Sequence, residues 1–143
     1  MSEFIVQQPR LTYTGARLVV EAAIEKANEI HVPMSIAVVD DAGHLIAFAR
    51  MDGAKFHSFH TALAKARTAA SYGKPSWEID ETVGVRLALA SEGTITALKA
   101  GIPLKVNGVI VGGVGVASGT AEEDVQVARH AHQAFLSQVV GAS

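Results

Sequence analysis

The feature that most constrains the fold of this chain is a two-residue turn, Asn107-Gly108, between two apolar runs. Asn-Gly is the strongest short signal for a tight β-hairpin, because both turn positions favour a positive φ. The flanking runs, Ile102–Val106 and Val109–Val116, have the composition of strands. The sequence therefore predicts an antiparallel hairpin here, which any fold assigned to the chain must contain.

A second hairpin is predicted in the first half of the chain. The β-branched apolar run Met34–Asp40 predicts a buried strand. The turn residues Asp41–Gly43 then return the chain into a second strand, from His44 to about Met51. The chain thus carries two separate pairs of antiparallel strands.

Three segments have helical patterns. Residues 12–30 carry an apolar stripe with charged residues largely opposite. An Ala-rich helix is predicted through Tyr72, with Ser58 as its N-cap. The capping box Thr120–Glu123 predicts the start of a last helix that reaches about Val140.

The section from Ser76 to Ala100 is harder to interpret. Asp80 is a candidate N-cap for a short helix over Glu81–Ala90, and Thr94–Leu98 is a candidate short strand. Paired strands separated by helices indicate an α+β fold, in which helices pack on an antiparallel sheet.

Composition limits the classes of function. The length predicts a single domain over residues 1–143, and 49% hydrophobic against 18% charged residues argues against disorder. A net charge of −2 and few aromatic residues argue against nucleic-acid binding. The absence of cysteine excludes thiolate metal sites and cysteine nucleophiles. We find no signal peptide or membrane-spanning run, and we expect a cytoplasmic protein without a membrane partner.

Two histidines form a candidate site for a metal. His57 and His60 are spaced i, i+3 at the start of a predicted helix, so they are candidates to share a face and to bind a metal or haem iron. Two histidines alone are too few for a zinc site. The alternative is that each is an exposed or capping residue.

Charged residues around this helix are candidates for holding an acidic ligand. Lys65 is flanked by alanines and is predicted to be partly buried, as a carboxylate anchor or as a base with a lowered pKa. The alternative is a lysine whose stem covers apolar surface. Arg50, Met51 and Asp52 end the second strand, and a charge pair between Arg50 and Asp52 is plausible there.

The glycine-rich run Gly112–Gly119 joins a strand to a helix and permits three interpretations. A phosphate cradle is disfavoured, because the run lies late in the chain and no Gly-Lys-Ser/Thr occurs. The glycines can instead let the strand pass close to another backbone, with a second subunit as one possibility. Finally, free N–H groups near Ser118 to Ala121 can hold a carboxylate or a haem propionate, which makes Ser118 and Gly119 candidate ligand-binding residues.

Three blocks of the sequence, taken together, resemble the GlcG/HbpS family. They are AVVDDAGHLIAFARMDGA at 37–54, ALAKARTAA at 62–70 and GIPLKVNGVIVGGVGVASGTAEEDVQVA at 101–128. This haem-binding-protein-like group includes the C-terminal domain of the PduO corrinoid adenosyltransferases. The resemblance covers about Leu11 to Phe135, with the blocks in the family's order.

The resemblance implies a five-stranded antiparallel sheet flanked by helices, with profilin-like layering, assembled as dimers or higher homo-oligomers. It also implies haem binding for some members, without fixing the iron ligand. The family blocks map onto Asp40, Gly43, His44, Arg50, Met51, Asp52, Gly53, Lys65, Thr68, Gly112, Gly113, Gly115 and Gly119.

Three functions remain open. The first is a protein that binds haem or another small ligand and is linked to small-molecule catabolism, with Met51, His57 or His60 on the iron and Arg50 or Lys65 on the propionates. The second is a lyase, isomerase or hydrolase at a subunit interface, in which Arg50 holds a carboxylated metabolite while His44, His57 or Lys65 moves a proton. The third is a non-catalytic structural or accessory subunit, so whether the protein is an enzyme stays undecided.

Overall fold

The computed structural model of this protein describes residues 2–139. Helices and strands alternate in the order that the two predicted hairpins require, with a single 3-10 turn at Ser76–Glu78. The elements are α1 Tyr13–Glu29, β1 Ser35–Asp40, β2 Leu45–Arg50, α2 Ser58–Tyr72, α3 Glu81–Ala90, β3 Gly101–Val106, β4 Val109–Ala117 and α4 Ala121–Val139.

The strands form one antiparallel sheet in the order β2-β1-β4-β3. Both predicted hairpins are confirmed. In the second one, Asn107 and Gly108 take φ values of 53° and 78°, as a tight hairpin turn requires. Pairing of β1 with β4 joins the two hairpins and makes these strands the centre of the sheet.

Helices cover both faces of the sheet. On one face, α1 and α4 pack against each other and against the strands, while α2 alone covers the other face. Strand β1 serves both cores, since Ile36 and Val38 belong to the first, and Ala37 and Val39 belong to the second. Alternation of side chains along a strand accounts for this division.

Glycines let α2 lie unusually close to the sheet. A Cβ at Gly113 or Gly115 would meet backbone atoms of Ala62 or Ala66 in α2, and one at Gly101 would meet the carbonyl of Lys65. The expectation that these glycines serve a close backbone approach is confirmed. The neighbouring backbone is a helix of the same chain rather than a second subunit.

The predicted fifth strand is wrong, because the sheet within residues 2–139 has four strands. Residues 94–98 are irregular, and most of their N–H hydrogen bonds go to side-chain hydroxyls, with none to a neighbouring strand in the described part of the chain. Ile95 N–H donates to Ser91 Oγ at 3.0 Å, and Thr96 N–H donates to Thr68 Oγ1 at 2.9 Å. Local hydroxyl acceptors thus replace a ladder in this segment.

The predicted starts of α1 and α3 are confirmed, whereas the predicted N-cap of α2 is wrong. Asp80 caps α3 through the N–H groups of Thr82 and Val83, and Thr12 caps α1. Ser58 is the first residue of α2 and does not cap it, because its buried hydroxyl bonds Lys55 O and Ser35 Oγ instead.

Of the two predicted helix ends, that of α2 is confirmed and that of the last helix is not tested. Gly73 ends α2 in the left-handed conformation, whereas the predicted end of the last helix at Val140 lies outside the described residues. No helix within residues 2–139 has the length and apolarity to cross a bilayer.

Candidate functional site

A cleft of about 240 Å³ opens where β4 passes into α4, beside the start of α2. We call it the cationic cleft, because Lys55, Lys65 and Lys99 are among its lining residues, beside His57. Asp124 is its one acidic lining residue.

The loop before α2 and the link between β4 and α4 are tied together at this cleft. Lys55 N–H donates to Ser118 Oγ at 2.9 Å, and Lys55 Nζ donates to Ser118 O at 3.3 Å. Ser118 has a φ of 98°, a strained conformation for a residue with a Cβ. These contacts join two segments that are 63 residues apart in sequence, and the joined segments form part of the cleft wall.

Lys65 and Asp124 form a buried ion pair at the inner end of the cleft. Each is only 4% exposed, and Lys65 Nζ lies 3.2 Å from Asp124 Oδ2. The ammonium also donates to Val116 O at 2.7 Å. Burial lowers the pKa of Lys65, although Asp124 opposes this shift, and burial likewise raises the pKa of Asp124. The predicted burial of Lys65 is confirmed, and the alternative of a solvent-reaching lysine is wrong.

The N-terminus of α4 is capped by its own carboxylates. Gly119 N–H donates to Asp124 Oδ1 at 2.9 Å, and Thr120 N–H donates to Glu123 Oε1 at 2.8 Å. Glu123 N–H donates back to Thr120 Oγ1 at 3.2 Å, which confirms the capping box. The expectation of free N–H groups is therefore wrong at Gly119 and Thr120, because these internal acceptors already occupy them.

The cleft carries an excess of positive charge. Asp124 is paired with Lys65, whereas Lys55 and Lys99 are exposed and form no ion pair with any residue in the range 2–139. Unpaired cations that converge on one cavity repel each other, and an anion between them relieves that repulsion. The arrangement is therefore suited to binding a carboxylate or a similar anion.

An apolar rim borders the cationic residues. Phe56 is 83% exposed, and its ring centroid lies 6.0 Å from that of His57 in an edge-to-face arrangement. Leu98, which is 52% exposed, lines the cleft. Exposed side chains of this size beside a polar cleft are typical of a contact surface for a ligand or a partner.

The two candidate iron-binding histidines are separated by the structure. His57 lines the cleft, whereas His60 is exposed, lies outside the cleft lining, and has its ring against Phe59 at a centroid distance of 5.2 Å. Among residues 2–139, no three His, Asp or Glu side chains converge as a metal site. A role in iron binding therefore stays a prediction, and of this pair only His57 lines the cleft.

The end of β2 lies apart from the cleft lining. Arg50 and Asp52 are exposed, and no ion pair joins them in the described part of the chain. Met51 is partly buried against the larger core, and its N–H donates to Met34 O at 2.9 Å. In this chain these residues shape the strand end, and their role in binding stays a prediction.

His44 lies in a different cavity of about 450 Å³, which is also lined by Arg67. Its Nδ1 is 3.5 Å from Asp40 Oδ2, and its side chain is exposed. Arg67 donates from Nε to Gly43 O at 2.9 Å and is half-buried. The structure therefore does not bring the three proposed catalytic residues His44, Arg50 and Lys65 into one cavity.

Sequence reasoning missed Lys55, Thr61, Lys99 and Asp124 as site residues. Asp124 directly follows the capping box, which gives it no sign of a site role, and the other three carry no motif. Their convergence depends on contacts such as Lys65–Asp124, which are 59 residues apart in sequence.

Comparison with known proteins shows the family to which this chain belongs. The family model described as "Haem degrading protein HbpS-like" matches residues 11–133. The chain belongs to the HbpS-like family. The resemblance noted from the three sequence blocks is thereby confirmed.

A sequence relative and two solved structures each match most of this chain. GlcG of Escherichia coli strain K12 is 38% identical over 107 residues, which are 74% of this chain and 80% of GlcG. The crystal structure of Klebsiella pneumoniae ORFY has a TM-score of 0.87 at 30% identity, over 94% of this chain and 97% of ORFY. PduOC, solved as a haem complex, has a TM-score of 0.80 at 26% identity, over 87% of this chain and 94% of PduOC.

Proposed function

We propose that this protein binds an anionic small ligand in the cationic cleft, with haem as one candidate. The observation that carries the proposal is the convergence of Lys55, Lys99 and His57 on one cavity, whose one carboxylate among residues 2–139 is already paired with Lys65. The ammonium groups of Lys55 and Lys99, which form no ion pair within residues 2–139, and the imidazole of His57 offer hydrogen bonds to a carboxylate.

The residues around the cleft fit the chemical requirements of haem. A haem needs an axial ligand, apolar surface and cations for its propionates. His57 offers an imidazole, Phe56 and Leu98 offer exposed apolar surface, and Lys55 and Lys99 offer the cations. When bound, the haem iron would supply redox and ligand-binding chemistry, while these residues would hold and orient the group.

Cavity size decides which part of a ligand the cleft can enclose. At about 240 Å³ it is smaller than the roughly 300–1,000 Å³ of typical ligand pockets. It therefore fits a carboxylate-sized group, such as a propionate or a small organic acid, and a macrocycle would have to extend beyond it. The haem complex of PduOC and the haem-related description of the family support haem as a candidate.

Addition of hemin to the purified protein tests the haem candidate. We expect a shift of the Soret band that is lost in His57→Ala, because His57 is the imidazole at the cleft. The variant His60→Ala is the matched control and should bind as the unmodified protein does. If the shift is absent, or if it survives in His57→Ala and disappears in His60→Ala, haem does not bind here as proposed.

One residue, Lys65, supports the enzyme hypothesis. Lys65 is a buried lysine with a lowered pKa that lines the cleft, a combination typical of functional sites. An interface pocket that includes Arg50 stays a prediction, because it requires a second subunit.

Self-association, the link to small-molecule catabolism and the cytoplasmic location also stay predictions. Exposed apolar residues of α3 support self-association: Val83, Val85 and Leu89 are 47%, 63% and 79% exposed. Apolar side chains clustered on one helix are typical of a protein–protein contact. The alternative of a purely structural or accessory subunit would leave the cationic cleft without a ligand.

A further inference from the structure

Lys65 occupies a special position among the cations of the cleft. Lys55 and Lys99 are exposed, whereas Lys65 is 4% exposed and still lines the cavity. Its Nζ can therefore be reached only by something that enters the cleft. Val116 O and Asp124 Oδ2 each accept one hydrogen bond from Nζ. One further position around the nitrogen therefore remains for a ligand.

The uncharged form of the Lys65 amine is more favourable in this buried site than it would be in bulk water. Burial lowers the pKa of Lys65 and raises that of Asp124, so both shifts favour the form in which the proton lies on the carboxyl group. In that form Asp124 lies 3.2 Å from the nitrogen and can give or take a proton. Buried lysines with these properties are typical nucleophiles toward carbonyl compounds.

We propose that Lys65 forms an imine with a small 2-oxo acid bound in the cationic cleft. This proposal rests on the proposed anion-binding function of the same cleft. The lone pair of Nζ attacks the carbonyl carbon, so that a C–N bond forms while the carbonyl oxygen takes the proton of Asp124. Loss of water breaks the C–O bond, and the nitrogen gives up its remaining protons, one to Asp124 and one to the departing oxygen. The net reaction is amine plus carbonyl to imine plus water.

The class of substrate follows from the rest of the lining. Lys55 and Lys99 supply cations for the carboxylate, while Lys65 lies at the inner end for the adjacent carbonyl group. Thr61 adds a hydroxyl to the wall; it donates to Ser58 O at 3.4 Å, so its oxygen remains an acceptor for the reacting hydroxyl. A cavity of about 240 Å³ restricts the substrate to a few heavy atoms, so a short 2-oxo acid fits the cavity where a haem exceeds it.

Reductive trapping tests the imine directly. The protein is incubated with pyruvate and borohydride, and its intact mass is measured before peptide mapping. We expect one carboxyethyl group per chain, located on Lys65. Lys65→Arg keeps a hydrogen-bond donor next to Asp124 but cannot form an imine, so it should remain unlabelled, whereas the exposed-lysine control Lys74→Arg should be labelled as the unmodified protein is. Label spread over exposed lysines, or no label at all, overturns the proposal, and the map of the unmodified protein decides this even if Lys65→Arg does not fold.

Titration with lactate separates this proposal from the one on which it rests. Lactate has the carboxylate but no carbonyl group, so it can bind to the cations without forming an imine. Lactate binding that competes with trapping supports both proposals. Lactate binding without any trapped adduct overturns the imine and leaves the anion site standing, whereas no binding of lactate, pyruvate or hemin overturns both.

Discussion

At the scale of single residues, the pair Lys65–Asp124 combines a structural and a chemical role. Removing two charges from water is costly, and the cost is repaid only by good geometry and further hydrogen bonds. Here Val116 O and Gly119 N–H supply those bonds, one to each partner. The pair thereby fastens α2 to the start of α4 and holds a reactive nitrogen at the cleft.

The burial of His132 leads to a prediction of how the stability of the protein depends on pH. This residue is partly buried in α4, and burial lowers its pKa from the ordinary value of 6.5. Below pH 6.5 the unfolded chain therefore binds more protons at this residue than the folded chain does. Its contribution to stability is present above pH 6.5 and is lost as the pH falls toward the folded pKa.

Urea unfolding between pH about 7.5 and 5 measures this contribution. His132→Gln should show a smaller loss of stability on acidification than the unmodified protein. Gln133→Ala changes an exposed neighbour in α4 that carries no titratable group, and it should leave the pH dependence unchanged. Equal slopes for all three proteins would contradict the assignment to His132.

Individual residues of the site were predicted from sequence only where a local reason existed. Lys65 was chosen for its alanine neighbours, and His57 for its place at a helix start. Lys99 and Thr61 have no such local signal, because their role depends on where the chain brings them. The strand end at Arg50 matches a family block, but it does not line the cleft of this chain.

At the scale of elements, the close packing of α2 on the sheet is the feature that positions Lys65. Gly115 lies beneath α2, where an added Cβ would meet the carbonyl of Ala62 and would lie 2.6 Å from Ala66 N. Both neighbours are backbone atoms of a helix, so neither can move alone. The glycine-rich run therefore serves packing, and through packing it sets the depth of the cleft.

Gly115→Ala should destabilise the protein by at least about 2 kcal/mol, because overpacking of a rigid core typically costs 1–3 kcal/mol. Gly15→Ala is the control: its Cβ would lie 2.8 Å from Cδ1 at the flexible end of Leu11, and its next neighbour, Thr12 Oγ1, lies at 3.4 Å. It should change stability by less than about 1 kcal/mol, since alanine also favours the helix. Urea unfolding of both variants gives the comparison, and a neutral Gly115→Ala would refute the packing argument.

Elements with strong local signals were predicted well from the sequence. Asn107-Gly108, Asp80 and the capping box at Thr120–Glu123 each combine a residue type with a backbone requirement, and all are confirmed. The strand at 94–98 failed because a short apolar run does not specify its partner. The N–H groups of Ile95 and Thr96 donate to the hydroxyls of Ser91 and Thr68 instead of to a strand. Which acceptor such a group reaches depends on the tertiary structure.

At the scale of the whole molecule, the cationic cleft exists because three distant segments meet at the end of β4. The loop before α2, the irregular segment that ends near Lys99, and the start of α4 each contribute to it. The α+β class followed from the alternation of hairpins and helices. The cleft did not, because the sequence does not reveal which ends of its elements meet.

The central claim is that the cations of this cleft bind an anionic ligand. Hemin titration of Lys55→Gln/Lys99→Gln against the control Lys74→Gln/Lys105→Gln tests it most directly, because both pairs remove the same charge. Hydrogen bonds to charged groups contribute roughly 1.5–3 kcal/mol each, and solvent exposure of Lys55 and Lys99 reduces this. We predict affinity about tenfold weaker for the cleft variant and unchanged affinity for the control. Equal affinities for the two variants would contradict the claim.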